Sequence, residues 1–165
     1  MRKGMKRFIC VVMAVMILVG GVFECDVYAK SSVSCKTLCS AVLKATGRSS
    51  KLKYASKSAL DFGALSASDR SKVKNIQYVC DAKEVYSLCV MEAKSASNAQ
   101  KLYNAMKKYK NNNCSSDYLS DYSASERMVF KNAVYGRKGK FVWYISMSAK
   151  KADNIKGQTA LKKKL

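Results

Sequence analysis

Asp81-Ala82-Lys83-Glu84-Val85-Tyr86-Ser87-Leu88-Cys89-Val90-Met91-Glu92-Ala93-Lys94-Ser95-Ala96-Ser97-Asn98-Ala99-Gln100-Lys101-Leu102-Tyr103-Asn104-Ala105-Met106-Lys107-Lys108-Tyr109 joins a strand pattern directly to a helix pattern. Glu84 to Glu92 alternates as a strand does. Ala99, Leu102, Tyr103, Met106 and Tyr109 then recur at helical spacing, so one stripe faces a core while Lys101, Lys107 and Lys108 face water. Ser97 and Gln100 stand three apart and read as a capping box that opens this helix. A strand followed by a helix that covers it is one buried layer, and the rest of the chain has to complete it.

Working outward towards the N-terminus, Ile76, Tyr78 and Cys80 share one face of a preceding strand, and Ser66 with Asp69 suits the start of a short helical turn. Leu60 to Leu65 is an apolar segment broken by Gly63, and Arg48 to Lys57 reads as a Ser/Lys-rich connector. Cys35, Leu38, Cys39, Val42 and Leu43 form an amphipathic stripe, with Ser34 placed to cap its start and Gly47 its end. Before them, Arg2, Lys3, Lys6 and Arg7 precede an apolar run from Phe8 to about Val22, and Val27-Tyr28-Ala29 supplies the small residues of a cleavage site. Residues 1–29 therefore read as a secretory signal peptide and 30–165 as one domain. The alternative is an uncleaved segment that tethers the protein to a membrane. That run is shorter than the ~20 residues a spanning helix needs. Cys25 follows Phe23-Glu24, which does not suit lipid attachment.

Towards the C-terminus, Lys110 to Ser116 reads as a loop by composition, and Ser123 with Glu126 as a second capping box before Met128, Val129 and Phe130. Ala133-Val134-Tyr135 and Lys140 to Met147 flank Gly136-Arg137-Lys138-Gly139 as a hairpin. A last helix, with Ser148 as cap and Ala152, Ile155 and Leu161 inward, ends in a basic tail at Lys162-Lys163-Lys164. The expected architecture is α+β: a mainly antiparallel sheet of about four strands covered by helices on one face.

The chain carries 31 Lys+Arg against 11 Asp+Glu. Residues 1–29 hold four of the former and two of the latter, so 27 and 9 remain and residues 30–165 carry +18. Only four of those 27 are arginines, which favours diffuse attraction to anions over forked recognition of one phosphate. There is no proline and no histidine. Without histidine the usual Ser-His and Cys-His nucleophile pairs are excluded, and no set of residues has metal-ligand spacing, so neither cofactor nor metal is expected. Cys35, Cys39, Cys80, Cys89 and Cys114 lie beyond the signal, and their pairing is open. Cys35 and Cys39 lie one turn apart on one helix, poor disulfide geometry, and with Cys89 they suit reduced core positions.

The element order resembles the extracytoplasmic proteins of Gram-positive bacteria catalogued as domain of unknown function 4358. The resemblance spans about Val33 to Ala160. It rests on Asp81-Ala82-Lys83-Glu84-Val85-Tyr86, the capped helix after it, the Tyr118 loop, and Asn132-Ala133-Val134 through Gly139-Lys140-Phe141-Val142. It implies an extracytoplasmic α+β domain and carries no activity to transfer. Many members look like lipoproteins, and this chain departs from them in having no cysteine placed for lipid attachment.

Two candidate surfaces remain. Asp117, Tyr118, Asp121 and Tyr122 place two carboxylates and two rings on one rim; the blander reading is that Asp and Ser satisfy turn amides while a tyrosine covers the sheet. Arg137, Lys138, Lys140, Lys150 and Lys151, joined by Lys156 and Lys162 to Lys164, make a candidate cationic face for cell-wall polymer or anionic membrane. The competing reading is that the lysines merely keep a secreted domain soluble. Gly136 to Gly139 is too short for a nucleotide-binding loop. The reading is a secreted, monomeric, non-enzymatic binding module of the cell envelope with no specific nucleic-acid partner. The alternatives are an enzyme using lysine and carboxylate chemistry near Asp117 and Asp121, or a cationic membrane-active factor.

Overall fold

The computed structural model describes residues 33–48, 52–55 and 65–165, which fall within one compact unit, Val33–Leu165. The signal-peptide and cleavage-site readings, and the apolar segment around Gly63, lie outside the described residues. In chain order the elements are α1 (Cys35–Thr46), β1 (Lys53–Ala55), α2 (Ala67–Arg70), β2 (Val73–Cys80), β3 (Ser87–Ala93), α3 (Ala96–Asn113), α4 (Ser116–Leu119), α5 (Ala124–Lys131), β4 (Val134–Lys138), β5 (Phe141–Ser146) and α6 (Lys151–Lys162). The strands form one antiparallel sheet in the order β1-β2-β3-β5-β4. The α+β architecture is as expected. A short edge strand, β1, arises within the stretch read as a connector.

Helices cover both faces of the sheet, where one covered face was expected. The cause lies in the opening stretch. On β3, Leu88 and Val90 point to one side and Cys89 and Met91 to the other, and all four are fully buried, so neither side can be left to water. Leu38 and Val42 of α1 and Leu161 of α6 close the first side over Val79, Leu88, Trp143 and Ile145. Leu102 and Met106 of α3 close the second over Tyr78, Met91, Val142 and Tyr144. Each such fully buried aliphatic side chain contributes about 1.5–3 kcal/mol. A bulge between Val73 and Asn75 brings Val73 onto the α3 side with Ile76, Tyr78 and Cys80.

Helix boundaries follow the caps. Ser34 accepts from the Thr37 N–H, and Gly47, at φ 69°, closes α1 as read from sequence. For α3 the cap is Ser95, whose oxygen accepts from the Asn98 N–H; Ser97 lies inside the helix and Gln100 donates to Asn104 instead. Nor does α3 stop at Lys110. It runs to Asn113, and Ser115 immediately caps α4. Composition signalled a loop here, yet the helix continues to Asn113, which is buried beside Tyr109 and Tyr144. The Ser123 and Glu126 box is present, with both bonds made.

Two further corrections concern α6. Its buried residues are Asn154, Gly157 and Leu161, while Ala152 and Ile155 face solvent. Gly157 lies against α1, where an added Cβ would meet Val42 and Thr46 at 3.0 Å, so the glycine that weakens the helix locally lets the two helices approach closely. The C-terminus is not a free tail either: Leu165 folds back on the core beside α1 and α6.

The strand directions define two ends of the molecule. The β4–β5 turn, the start of α3 and the end of α6 lie together at one end, the hairpin end, where the Lys138 ammonium donates to the Lys162 carbonyl. The β2–β3 turn, α4, α5 and the start of α6 lie at the opposite, turn end.

Candidate functional site

The Asp117 to Tyr122 rim is built by α4 and the bend after it. Ser115 caps α4, and each carboxylate takes the hydroxyl of the serine before it: Ser116 to Asp117 at 3.2 Å and Ser120 to Asp121 at 3.3 Å. Arg127 ties the bend down by donating to the carbonyls of Tyr122 and Ser120. The rings of Tyr118 and Tyr122 stack at 5.4 Å, and both meet Phe130 edge-on. Tyr122 donates to the Tyr118 hydroxyl, and burial, with this bond next, pushes the Tyr118 phenol up. Here the rings cover the small core of Val85, Leu119, Val129 and Phe130, while the serines engage the acids locally.

The five basic candidates do not converge. Arg137 and Lys138 are consecutive residues of β4, so they project to opposite faces of the sheet. Lys140 occupies the β4–β5 turn, while Lys150 and Lys151 begin α6 at the other end of β5, roughly 20 Å away for a six-residue strand. What the structure gathers at the hairpin end is Lys138, Lys140, Lys162, Lys163 and Lys164, all exposed.

Sequence reading missed two polar groupings. Under the end of α3, Tyr109 and Tyr144 meet edge-on at 5.2 Å beside the buried Asn113 and Ser146, and burial raises both phenols. Glu84 in the β2–β3 turn holds φ at 56°, a left-handed conformation that is uncommon for a side chain of this type. Its N–H bonds the Asp81 carbonyl. The second grouping is a cleft of about 340 Å³ between α2 and α3, lined by Leu65, Ser66, Asp69, Lys108, Tyr109 and Asn112. Asp69 is held by the ammonium of Lys72 at 3.0 Å and the hydroxyl of Ser66 at 2.8 Å, so its acid is already satisfied. Neither could be found from spacing, because each joins residues remote in sequence.

Cys35, Cys39 and Cys89 are buried free thiols, and Cys80 and Cys114 are half-buried free thiols. Burial first, then Glu92, pushes Cys35 up to about 11; burial also lifts Cys39 and Cys89 well above the usual range. Since the thiolate is the nucleophile, these three should resist iodoacetamide at pH 8 in the folded protein and react on unfolding. Mass spectrometry should then count at most two labels before denaturant and five after it on a chain beginning at residue 30. Native labelling of Cys39 would overturn this assignment.

Searches against protein-family models, curated proteins and solved structures found no match to this chain.

Proposed function

We propose that this chain is an exported, envelope-associated binding module whose work is done by its charge distribution, without catalysis. The observation that carries the reading is segregation of charge. Of the eight acidic residues among those described, Asp81, Glu84, Asp117, Asp121, Glu126 and Asp153 belong to the turn end. The other two, Asp69 and Glu92, are each taken up by a lysine, Lys72 and Lys74. The hairpin end is thus left with five exposed lysines against one nearby acid, Glu92, which Lys74 pairs with and Lys140 also stabilises, and this excess of positive charge suits the phosphate-bearing polymers or anionic lipids of a cell envelope. The N-terminal signal and the resemblance to extracytoplasmic proteins support the same placement.

Substituting Gln at Lys138, Lys140, Lys162, Lys163 and Lys164 is expected to weaken retention on purified cell wall at least tenfold. Gln at Lys44, Lys107, Lys108, Lys131 and Lys156 should change it less than threefold. Both sets remove the same charge from exposed positions. At physiological ionic strength charges are screened within roughly 8 Å, so equal loss would mean diffuse attraction and would refute the reading.

A further inference from the structure

We infer that the hairpin end is a docking tip for a linear phosphodiester polymer, which wraps the β4–β5 turn and leaves the turn end free. This rests on the polyanion reading above and adds to it an orientation and a ligand class. Three observations argue for a flexible chain instead of a flat membrane.

First, the charges surround the tip. Lys138 projects to the α6 side, where its ammonium reaches the Lys162 carbonyl, and Arg137 projects to the α3 side. Lys140 sits in the turn between them, and Lys163 and Lys164 follow the end of α6. A polymer that passes round the tip can meet the charges of both sides along its length, whereas a plane set across the end meets only the outermost of them.

Second, the exposed large apolar side chains among the described residues are Tyr118, Met128 and Ile155, and none lies at this end. Phe141 and Leu165, which are near it, are engaged with the core. Stable membrane attachment takes an apolar anchor together with a polybasic patch, and the described tip supplies only the second.

Third, the lysines are carried on backbone that the fold holds in place. The two-residue turn at Gly139 and Lys140 is fixed by the Lys140 carbonyl, which accepts from the Ala93 N–H at 2.8 Å. Lys162 lies 5.9 Å from the centre of the buried Trp143 ring. The ends of α6 and β4 therefore present ammonium groups from ordered backbone, at the helix C-terminus where cations are favoured.

The test uses a synthetic glycerol-phosphate oligomer and, separately, vesicles of phosphatidylglycerol and phosphatidylcholine, with the chain from residue 30 onward. If about five phosphates are neutralised, the logarithm of the oligomer's binding constant should fall with the logarithm of salt with a slope of roughly −3 to −4. With bound oligomer, acetylation by a water-soluble reagent should slow at least fivefold at Lys138, Lys140 and Lys162, and stay unchanged at Lys83, Lys150 and Lys151. Uniform protection with retained binding would overturn the docking tip while leaving general polyanion attraction standing. Binding to vesicles but not to the oligomer would overturn the ligand class. No binding to either at physiological salt would overturn both the inference and the reading beneath it.

Discussion

Asn154→Leu is expected to cost on the order of 4 kcal/mol and to lower the melting temperature by roughly 10–20 °C, the largest loss foreseen for a polar residue of this fold. Asn154 is fully buried on α6, and its carboxamide uses both ends. The oxygen accepts from the Met147 N–H at 2.8 Å; the nitrogen donates to the carbonyls of Asn132 and Ser148, both at 2.9 Å. One side chain therefore joins the end of α5, the exit of β5 and the start of α6. Leucine fills the volume but leaves three backbone groups without a partner, one of them on the fully buried Met147. An orphaned buried donor or acceptor costs about 1–3 kcal/mol, and a small domain has only about 5–15 kcal/mol in all. Asn132→Ala is the comparison, since it removes a single bond, from the Asn132 amide to the Ala149 carbonyl at 2.7 Å. It should cost about 1 kcal/mol. Urea melts in which the two substitutions cost the same would show that Asn154 is not the clamp.

The clamp also marks where sequence reading reaches its limit. Repetition at short spacing was legible: Leu38, Cys39, Val42 and Leu43 along α1, the alternation of Ile76, Tyr78 and Cys80, and the Ser123 and Glu126 box are all where local rules place them. Local rules failed wherever a polar or small residue is held by distant partners. The helix α3 continues through an asparagine run to Asn113, which is buried beside Tyr109 and Tyr144. Asn154, which looks like an outward helix residue, is the inward one, and it displaced the expected Ile155. The basic surface was visible as composition but not as shape. Which lysines share an end depends on strand register, and register put Lys150 far from Lys140 while it brought Lys162 to Lys138. The two covered faces of the sheet were written in Leu88-Cys89-Val90-Met91, an unbroken apolar run that marks a strand buried on both sides.

Gly136→Ala tests the same lesson from the opposite direction, because local preference and tertiary contact predict effects of opposite sign. A glycine inside a strand is unfavourable by about 0.5–1 kcal/mol relative to alanine, so local preference alone makes the substitution stabilising. The fold sets Gly136 directly across from Trp143, and an added Cβ would lie 2.5 Å from its Cζ2 and 2.7 Å from its Cε2. The ring has nowhere to go. Trp143 is fully buried, its indole N–H donates to the Gln158 oxygen on α6 at 3.1 Å, and Lys162 lies over it. Alanine must push the indole into α6 or part β4 from β5, at a cost of about 2–3 kcal/mol, as overpacking a filled core usually does. Leucine at position 143 lacks Cζ2, Cε2 and Nε1, the atoms that collide, so in that background the same substitution should cost less than about 1 kcal/mol. The double-mutant cycle should show coupling of roughly 1–2 kcal/mol. If Gly136→Ala stabilises the protein with Trp143 in place, strand propensity governs the site. Loss on the wild-type background with recovery beside leucine would instead assign the glycine to the indole, which β4 must clear for the hairpin and α6 to meet at the lysine-bearing end.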